Sequence, residues 1–469
     1  MYGIYIIKDY LSINEKNNEN ILDYLIKNND YLNILIDLLN KNNKKISYEI
    51  ICILINITYI DNNDILFRNI NVIYKIYLFL NKNKNDKILT YEGLLLLRNI
   101  TINNIEVKDM LLKYNIFEYF NEIYEIYNLD NQFLYNLILN MGNFIFNSNK
   151  EYIKQYIKII KIIKTQINSS TDFKLLNQFI FFIYNILLFN SEEIINEIFK
   201  EEIIKKLINI YPFKINDENT INIIENEDDM IKYGNNIRIL ILKFIGKILS
   251  LDYEEKEESY IQKLIDCDVI NFFNKIIDCS KNDFKIIKNV AFCISNICTG
   301  NYNQINKLYN EGIFIKLIEI GNNIYQFLKN NINLSIKEND INDIYLAFRE
   351  ICYVFSLVII NLTYEKVLPL VKYQNCIIII FIIEALKIFQ NKVEFVDLYL
   401  NSLYHLIIYD KSIEEFNYKI RVSDLNISFS EFMDRNGIKP ILENIFLDKE
   451  SKINKLAEKI YDSIYNKLI

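Results

Sequence analysis

Tryptophan is absent from this 469-residue chain, histidine occurs once, and only 3 prolines and 9 glycines are present. So little proline and glycine leaves scant material for the turns of a β-rich fold. Glycine is also too sparse for phosphate-cradling loops, and neither a P-loop nor a GxGxxG fingerprint occurs. The single histidine, His405, lies in the apolar run LYHLII and reads as a structural residue rather than a catalytic base. Scattered carboxylates read as the solvated faces of helices, so no enzyme, cofactor or metal site is expected. Cys52, Cys267, Cys279, Cys293, Cys298, Cys352 and Cys376 fall in or beside apolar runs, with an odd total and no CxxC pair. That favours buried thiols in a reducing compartment over disulfides or zinc. The longest apolar runs, Phe179 to Phe189 and Cys376 to Ile383, stop short of the roughly 18 residues of a membrane span and read as core helices. The opening MYGIYIIKDYLS meets charge too early for a secretory signal. Heavy use of Ile, Asn, Lys and Tyr alongside the missing tryptophan points to AT-rich codons, so residue type is a better guide than residue identity.

What is present is repetition, which overrides the several domains that the length alone would allow. Residues Asn289 to Ile320, NVAFCISNICTGNYNQINKLYNEGIFIKLIEI, form one complete unit. An apolar helix with Val290, Ala291, Ile294 and Ile297 carries Asn296 and breaks at Thr299 and Gly300. A second helical run through Ile305 and Leu308 stops at Gly312, and a third begins at Ile313. The same core returns as ICILINIT, LLLLRNIT, LILNMGNF, FFIYNILL and, degenerate, KFIGKILS. Subtracting positions, Asn56, Asn99, Asn143 and Asn185 lie 43, 44 and 42 residues apart, within the period of roughly 40 to 47 for stacked two- and three-helix units. The fold predicted is all-α: a right-handed armadillo-repeat superhelix of about ten three-helix repeats, one solenoid over residues 1–469. Polar intervals at 213–236, with the acidic cluster Glu225, Glu227, Asp228 and Asp229, at 322–343 and at 411–430 read as inserted loops. Residues 436–469 read as a capping repeat.

The asparagines need a reason, because an amide within an apolar helical stretch packs poorly and has poor helix propensity. One reading is that each bonds a neighbouring helix end. The other is a ladder, in which successive helices about 10 Å apart each present an amide that donates to and accepts from an extended peptide backbone.

The block from Asn289 to Ile320 resembles an importin-alpha repeat, in which a tryptophan four residues before the asparagine stacks on lysine stems of a nuclear localisation signal. EIICILINIT, EGLLLLRNIT, LILNMGNF and FFIYNILL are similar to the second to fifth repeats, and KFIGKILS to the sixth, where the family places a basic residue at the tryptophan position, here Lys243. ILDYLIKNNDYLNILIDLLN is similar to the end of the first repeat, and NGIKPILENIF with INKLAEKIYDSIY to the tenth. The resemblance implies a nuclear import adaptor, in cytoplasm and nucleus, that binds basic localisation peptides of cargo proteins, with importin beta and an export receptor as further partners. The net charge of -7 suits a basic partner rather than nucleic acid, and no membrane is implied.

Carried over by position, the major-site-like residues are Asn56, Asn99 and Asn143, with Leu95 and Leu139 in shelf positions and Glu106 near the place of an acidic partner, where Asn103 is uncharged. The minor-site-like residues are Phe292, Asn296, Glu350 and Tyr353. Every shelf tryptophan is replaced, by Cys52, Leu95 and Leu139 among others, while Leu357, Lys247 and His405 replace asparagines. Recognition is therefore expected to rest more on Phe292 and Tyr353 than on the N-terminal half. Met1 leads almost directly into the first repeat, so no basic segment is expected to compete for the groove, and importin beta is expected to leave peptide affinity unchanged. The alternative is an armadillo scaffold for other protein partners, in an adhesion, vacuolar or cytoskeletal role.

Overall fold

The computed structural model describes residues 29–41, 43–60, 69–102, 104–145, 152–169, 172–210, 227–251, 259–330, 338–414, 427–446 and 452–465. Its chain divides into two compact units, residues 1–206 with 221–240, and residues 207–220 with 241–469. The segment before residue 29, Asn103, and residues 213–226, 331–337 and 415–426 of the predicted insertions lie outside the described residues.

The first unit contains α1 (Asn29–Leu39), α2 (Lys44–Ile60), α3 (Ile70–Lys82), α4 (Lys87–Thr101), α5 (Ile105–Lys113), α6 (Ile116–Tyr127), α7 (Asn131–Ile145), α8 (Ile153–Ser169), α9 (Phe173–Leu187) and α10 (Glu192–Lys200). Two helices, α11 (Ile203–Ile210) and α12 (Glu227–Leu249), contribute residues to both units. The second continues with α13 (Tyr260–Asp266), α14 (Val269–Cys279), α15 (Phe284–Cys298), α16 (Tyr302–Asn310), α17 (Ile313–Asn330), α18 (Glu338–Asn361), α19 (Tyr364–Lys372), α20 (Ile377–Ile388), α21 (Val393–Glu414), α22 (Phe429–Arg435), α23 (Lys439–Phe446) and α24 (Lys452–Tyr465). No β-strand occurs among the described residues, and no single helix among them is long and apolar enough to cross a membrane.

The elements repeat as a short first helix, a second helix and a long third helix that holds the asparagine position. Third helices start at aspartate caps: Asp86, Asp172 and Asp283 accept from the backbone N–H of Leu89, Leu175 and Ile286 at 3.0–3.2 Å. Between first and second helix the chain passes through left-handed backbone at Asn115, Glu202, Asp268, Gly312, Cys376 and Gly437, with φ between 53° and 78°. That one conformation turns the chain in every complete three-helix unit, yet only two of the six positions are glycine.

In the first unit the third helices stack in order, α2 on α4, α4 on α7 and α7 on α9; in the second, α15 on α18, α18 on α21 and α21 on α24. Each helix buries one stripe against its neighbours. Phe117, Phe120, Phe144 and Tyr156 meet edge to face at 5.3–6.0 Å around α6, α7 and α8, and burial of each such side chain stabilises by about 1.5–3 kcal/mol.

The interval 322–343 departs from expectation. Residues Asn322 to Asn330 continue α17, and Glu338 opens α18. Ile320, Gly321 and Ile324 are buried on the stripe set by Leu317, and Tyr325 meets Phe381 at 6.1 Å, so apolar periodicity carries the helix through an asparagine-rich stretch. Likewise 227–236 belong to α12 and 411–414 to α21.

Candidate functional site

Asn56, Asn99, Asn143 and Asn185 occupy one register on α2, α4, α7 and α9, each half-buried. Asn99 donates from Nδ2 to Thr58 Oγ1 on α2 at 2.8 Å, and Asn143 donates to the Arg98 carbonyl on α4 at 3.3 Å. These two amides tie a rung to the one before it, as the first reading of the series anticipates. Each retains a side-chain oxygen and a second N–H. Asn56 and Asn185 make no side-chain hydrogen bond among the described residues, so their amides are open to a ligand. Cys52, Leu95 and Leu139, one turn earlier, are half-buried and aliphatic. Glu106 lies apart from this row: it is exposed in the first turn of α5, where a helix N-terminus favours a carboxylate.

Two features of this row escape a reading confined to asparagines and shelf tryptophans. Phe181, four residues before Asn185, is 47% exposed, and Leu188, three residues after it, 50%; the signal was the first phenylalanine of FFIYNILL. Eight residues before the asparagines stand Tyr48, Tyr91 and Tyr135, spaced by the same 43 and 44 residues. Gln132 of the next rung donates to the Tyr91 hydroxyl at 3.1 Å, and Lys174 of the next rung stands over the Tyr135 ring at 4.2 Å. Tyr48 shares with Ile88 of the next rung a surface cavity of about 460 Å³.

In the second unit Phe292 on α15 is 40% exposed and lies against Gly246 on α12, whose absent Cβ would come within 3.0 Å of two ring carbons. Cys293 Sγ reaches the Leu242 carbonyl at 3.2 Å and locks the two helices in register. Asn296 donates to its own helix at the Phe292 carbonyl, 2.7 Å. Glu350 does not offer the free carboxylate expected beside Tyr353. It is buried, Arg349 pairs with it at 2.6 Å, and burial raises its pKa against the lowering effect of Arg349. Adjacency in sequence hid this pairing, because nothing in a sequence tells whether a neighbouring arginine folds back. The Arg349 guanidinium also stacks over Phe395 at 4.7 Å, and Tyr353 meets Phe395 edge-on at 5.6 Å. Leu357 is buried. His405 is half-buried near Tyr409, and burial lowers its pKa, which keeps the ring neutral at pH 7.

The thiols of Cys293, Cys298, Cys352 and Cys376 are buried; Cys279, expected among them, is exposed near the end of α14. Burial pushes the Cys376 thiol up to about 12, well out of the reactive range.

No family model and no curated protein matches the sequence. Solved structures do. One described by the words "A conserved phosphorylation switch controls the interaction between cadherin and beta-catenin in vitro and in vivo" is similar over 99% of this chain and 80% of that one, at TM-score 0.68 and 11% identity. The crystal structure of SYS-1 is similar over 98% of this chain and 77% of that one, at TM-score 0.65 and 11% identity. A designed armadillo repeat protein in complex with the peptide (KR)4 matches over 65% of this chain at TM-score 0.41 and 14% identity. The fold is an armadillo-repeat solenoid. At such identities the likeness concerns the fold and leaves the ligand of this solenoid to its own side chains.

Proposed function

We propose that this solenoid is a binding scaffold that holds an extended segment of a protein partner along the asparagine-bearing third helices. The observation that carries the reading is the amide row itself: half-exposed asparagines in one register on stacked helices, each flanked one turn away by an apolar side chain. An extended strand leaves its own N–H and C=O groups unpaired, and a row of amides spaced by helix packing satisfies them without reading sequence. The neighbour whose description names cadherin and beta-catenin agrees with protein binding by this fold.

A second reading is the nuclear import adaptor, with basic localisation signals as cargo, importin beta and an export receptor as further partners, and residence in cytoplasm and nucleus. It is favoured by Phe181 before Asn185 and Phe292 before Asn296, where an exposed ring stands one turn from an amide on the same helix, a cation–π platform worth about 0.5–2 kcal/mol. Titration of a labelled basic localisation peptide, and of its serine-substituted counterpart, separates the two. Affinity that needs both the lysines and the rings supports import. Binding of either peptide that is lost on Asn56→Ala, Asn143→Ala and Asn185→Ala, without preference for lysine, supports the general scaffold. Binding indifferent to these asparagines sinks the amide face.

A further inference from the structure

We infer that the α12–α15 face of the second unit takes an acidic extended segment that lays an apolar side chain on Phe292; the inference rests on the scaffold reading above and specifies its partner. The geometry is local and definite. Gly246 lets the Phe292 ring lie directly on the α12 backbone, and Lys243, three residues before that glycine, and Lys247, the residue after it, lie one turn apart on the same helix. Phe292 rests on that glycine and is 40% exposed. Lys243 is exposed and Lys247 half-exposed, and neither ammonium has a carboxylate partner among the described residues. In register they are the shelf and amide positions of their rung, beside Phe292 and Asn296 of the next.

Two carboxylates of the next rung, on α18, are occupied. Asp343 holds Lys288 at 2.6 Å and Glu350 holds Arg349 at 2.6 Å. Lys285, exposed on α15, adds a further cation. A lysine-rich strand brought to this ring meets like charge from Lys243, Lys247 and Lys285, none of them paired with a carboxylate among the described residues, and like charges across a contact suppress a wrong partner. An acidic strand meets the opposite. Its side chains alternate in direction, so residues two apart share a face: an apolar residue rests on Phe292 while carboxylates two positions before and after it reach the lysines, and Asn296 Oδ1 is left to accept a backbone N–H.

The probes are two fluorescent peptides that carry leucine and a charged residue in turn at every second position, with serine between them, the charged residue being aspartate in one and lysine in the other; both are titrated against the full chain by anisotropy. Tighter binding of the aspartate peptide by about tenfold or more, weakening with added salt and inverted in preference by Lys243→Glu with Lys247→Glu, is the expected result. Phe292→Ala should weaken it by about tenfold as well. Both lysines reach solvent, so an unchanged melting temperature of the double variant certifies its fold. Tighter binding of the lysine peptide with dependence on Phe292 overturns the inference while the scaffold reading stands. Equal binding, no binding, or binding indifferent to Phe292 and both lysines overturns it too, and the scaffold reading is then judged on Asn56, Asn143 and Asn185 in the first unit.

Discussion

The amide of Asn99 serves its neighbour before it serves any ligand, since its Nδ2 already donates to Thr58 on the preceding rung. Asn99→Ala is therefore expected to cost about 1 kcal/mol of stability, the usual net worth of a partly buried hydrogen bond, visible as a lower urea midpoint at unchanged slope. Asn185, with no such tie among the described residues, should lose peptide affinity on the same change while its midpoint stays within about 0.5 kcal/mol. At Gly246 a methyl group would meet the Phe292 ring at 3.0 Å, so Gly246→Ala should tilt the ring and weaken the aspartate peptide about threefold or more. An unchanged affinity would detach Phe292 from binding. Spacing of like residues was legible at this scale, and the tyrosine row could have been found with the asparagines. The Arg349–Glu350 pairing could not, because rotamer choice depends on Phe395, supplied from a helix some forty residues further on.

Among the elements, the turn from first to second helix keeps a conformation and lets its residue drift. A side chain in left-handed backbone costs roughly 1–2 kcal/mol relative to glycine, least for asparagine and aspartate. Glu202→Gly should accordingly raise stability by about 1 kcal/mol, since Glu202 contributes only an exposed pair to Lys205. Gly312→Ala should lower it by about the same or more, through strain alone, because nothing stands within 4 Å of the added Cβ. Chemical denaturation of both variants checks the pair, and equal midpoints would remove backbone strain as the cause. Caps follow similar logic. Asp86→Ala should cost about 1 kcal/mol and Asp86→Asn less, because asparagine still accepts the Leu89 N–H and gives up only the partly exposed pair to Lys44. Helix starts at Asp86, Asp172 and Asp283 were readable from a short polar residue before an apolar run. The helical ends of the 322–343 interval were not, since asparagine content masked an apolar stripe that only packing reveals.

On the scale of the whole molecule, stacked units contact mainly their neighbours, so a core defect should propagate along the stack and fade. Phe144→Ala, expected to cost about 3–5 kcal/mol locally, should weaken hydrogen-exchange protection most in α6, α7 and α8; uniform loss across the chain would contradict solenoid behaviour. Rung-to-rung ion pairs add a pH dependence. Hydrogen bonds from Lys44, Lys87 and Lys164 hold Asp86, Asp130 and Glu201 below the usual carboxylate range. Groups depressed in the folded state contribute above their unfolded pKa and lose that contribution as pH falls through the folded one, so the melting temperature should hold near neutrality and drop below about pH 4. Glu350, raised by burial, acts with the opposite sign and offsets part of the loss. By itself the sequence determined the fold class and the repeat period, because burying one stripe of every helix demands apolar residues at fixed intervals whatever their identity. Only the tertiary structure decided the chemistry of the face: which carboxylates are spent on internal lysines and arginines, which amides brace a neighbouring rung, and that Phe292 lies on a glycine whose flanking lysines have no carboxylate partner among the described residues. Charge pairing and exposure arise from helices brought together across dozens of residues, and a linear pattern carries no record of which partners they meet.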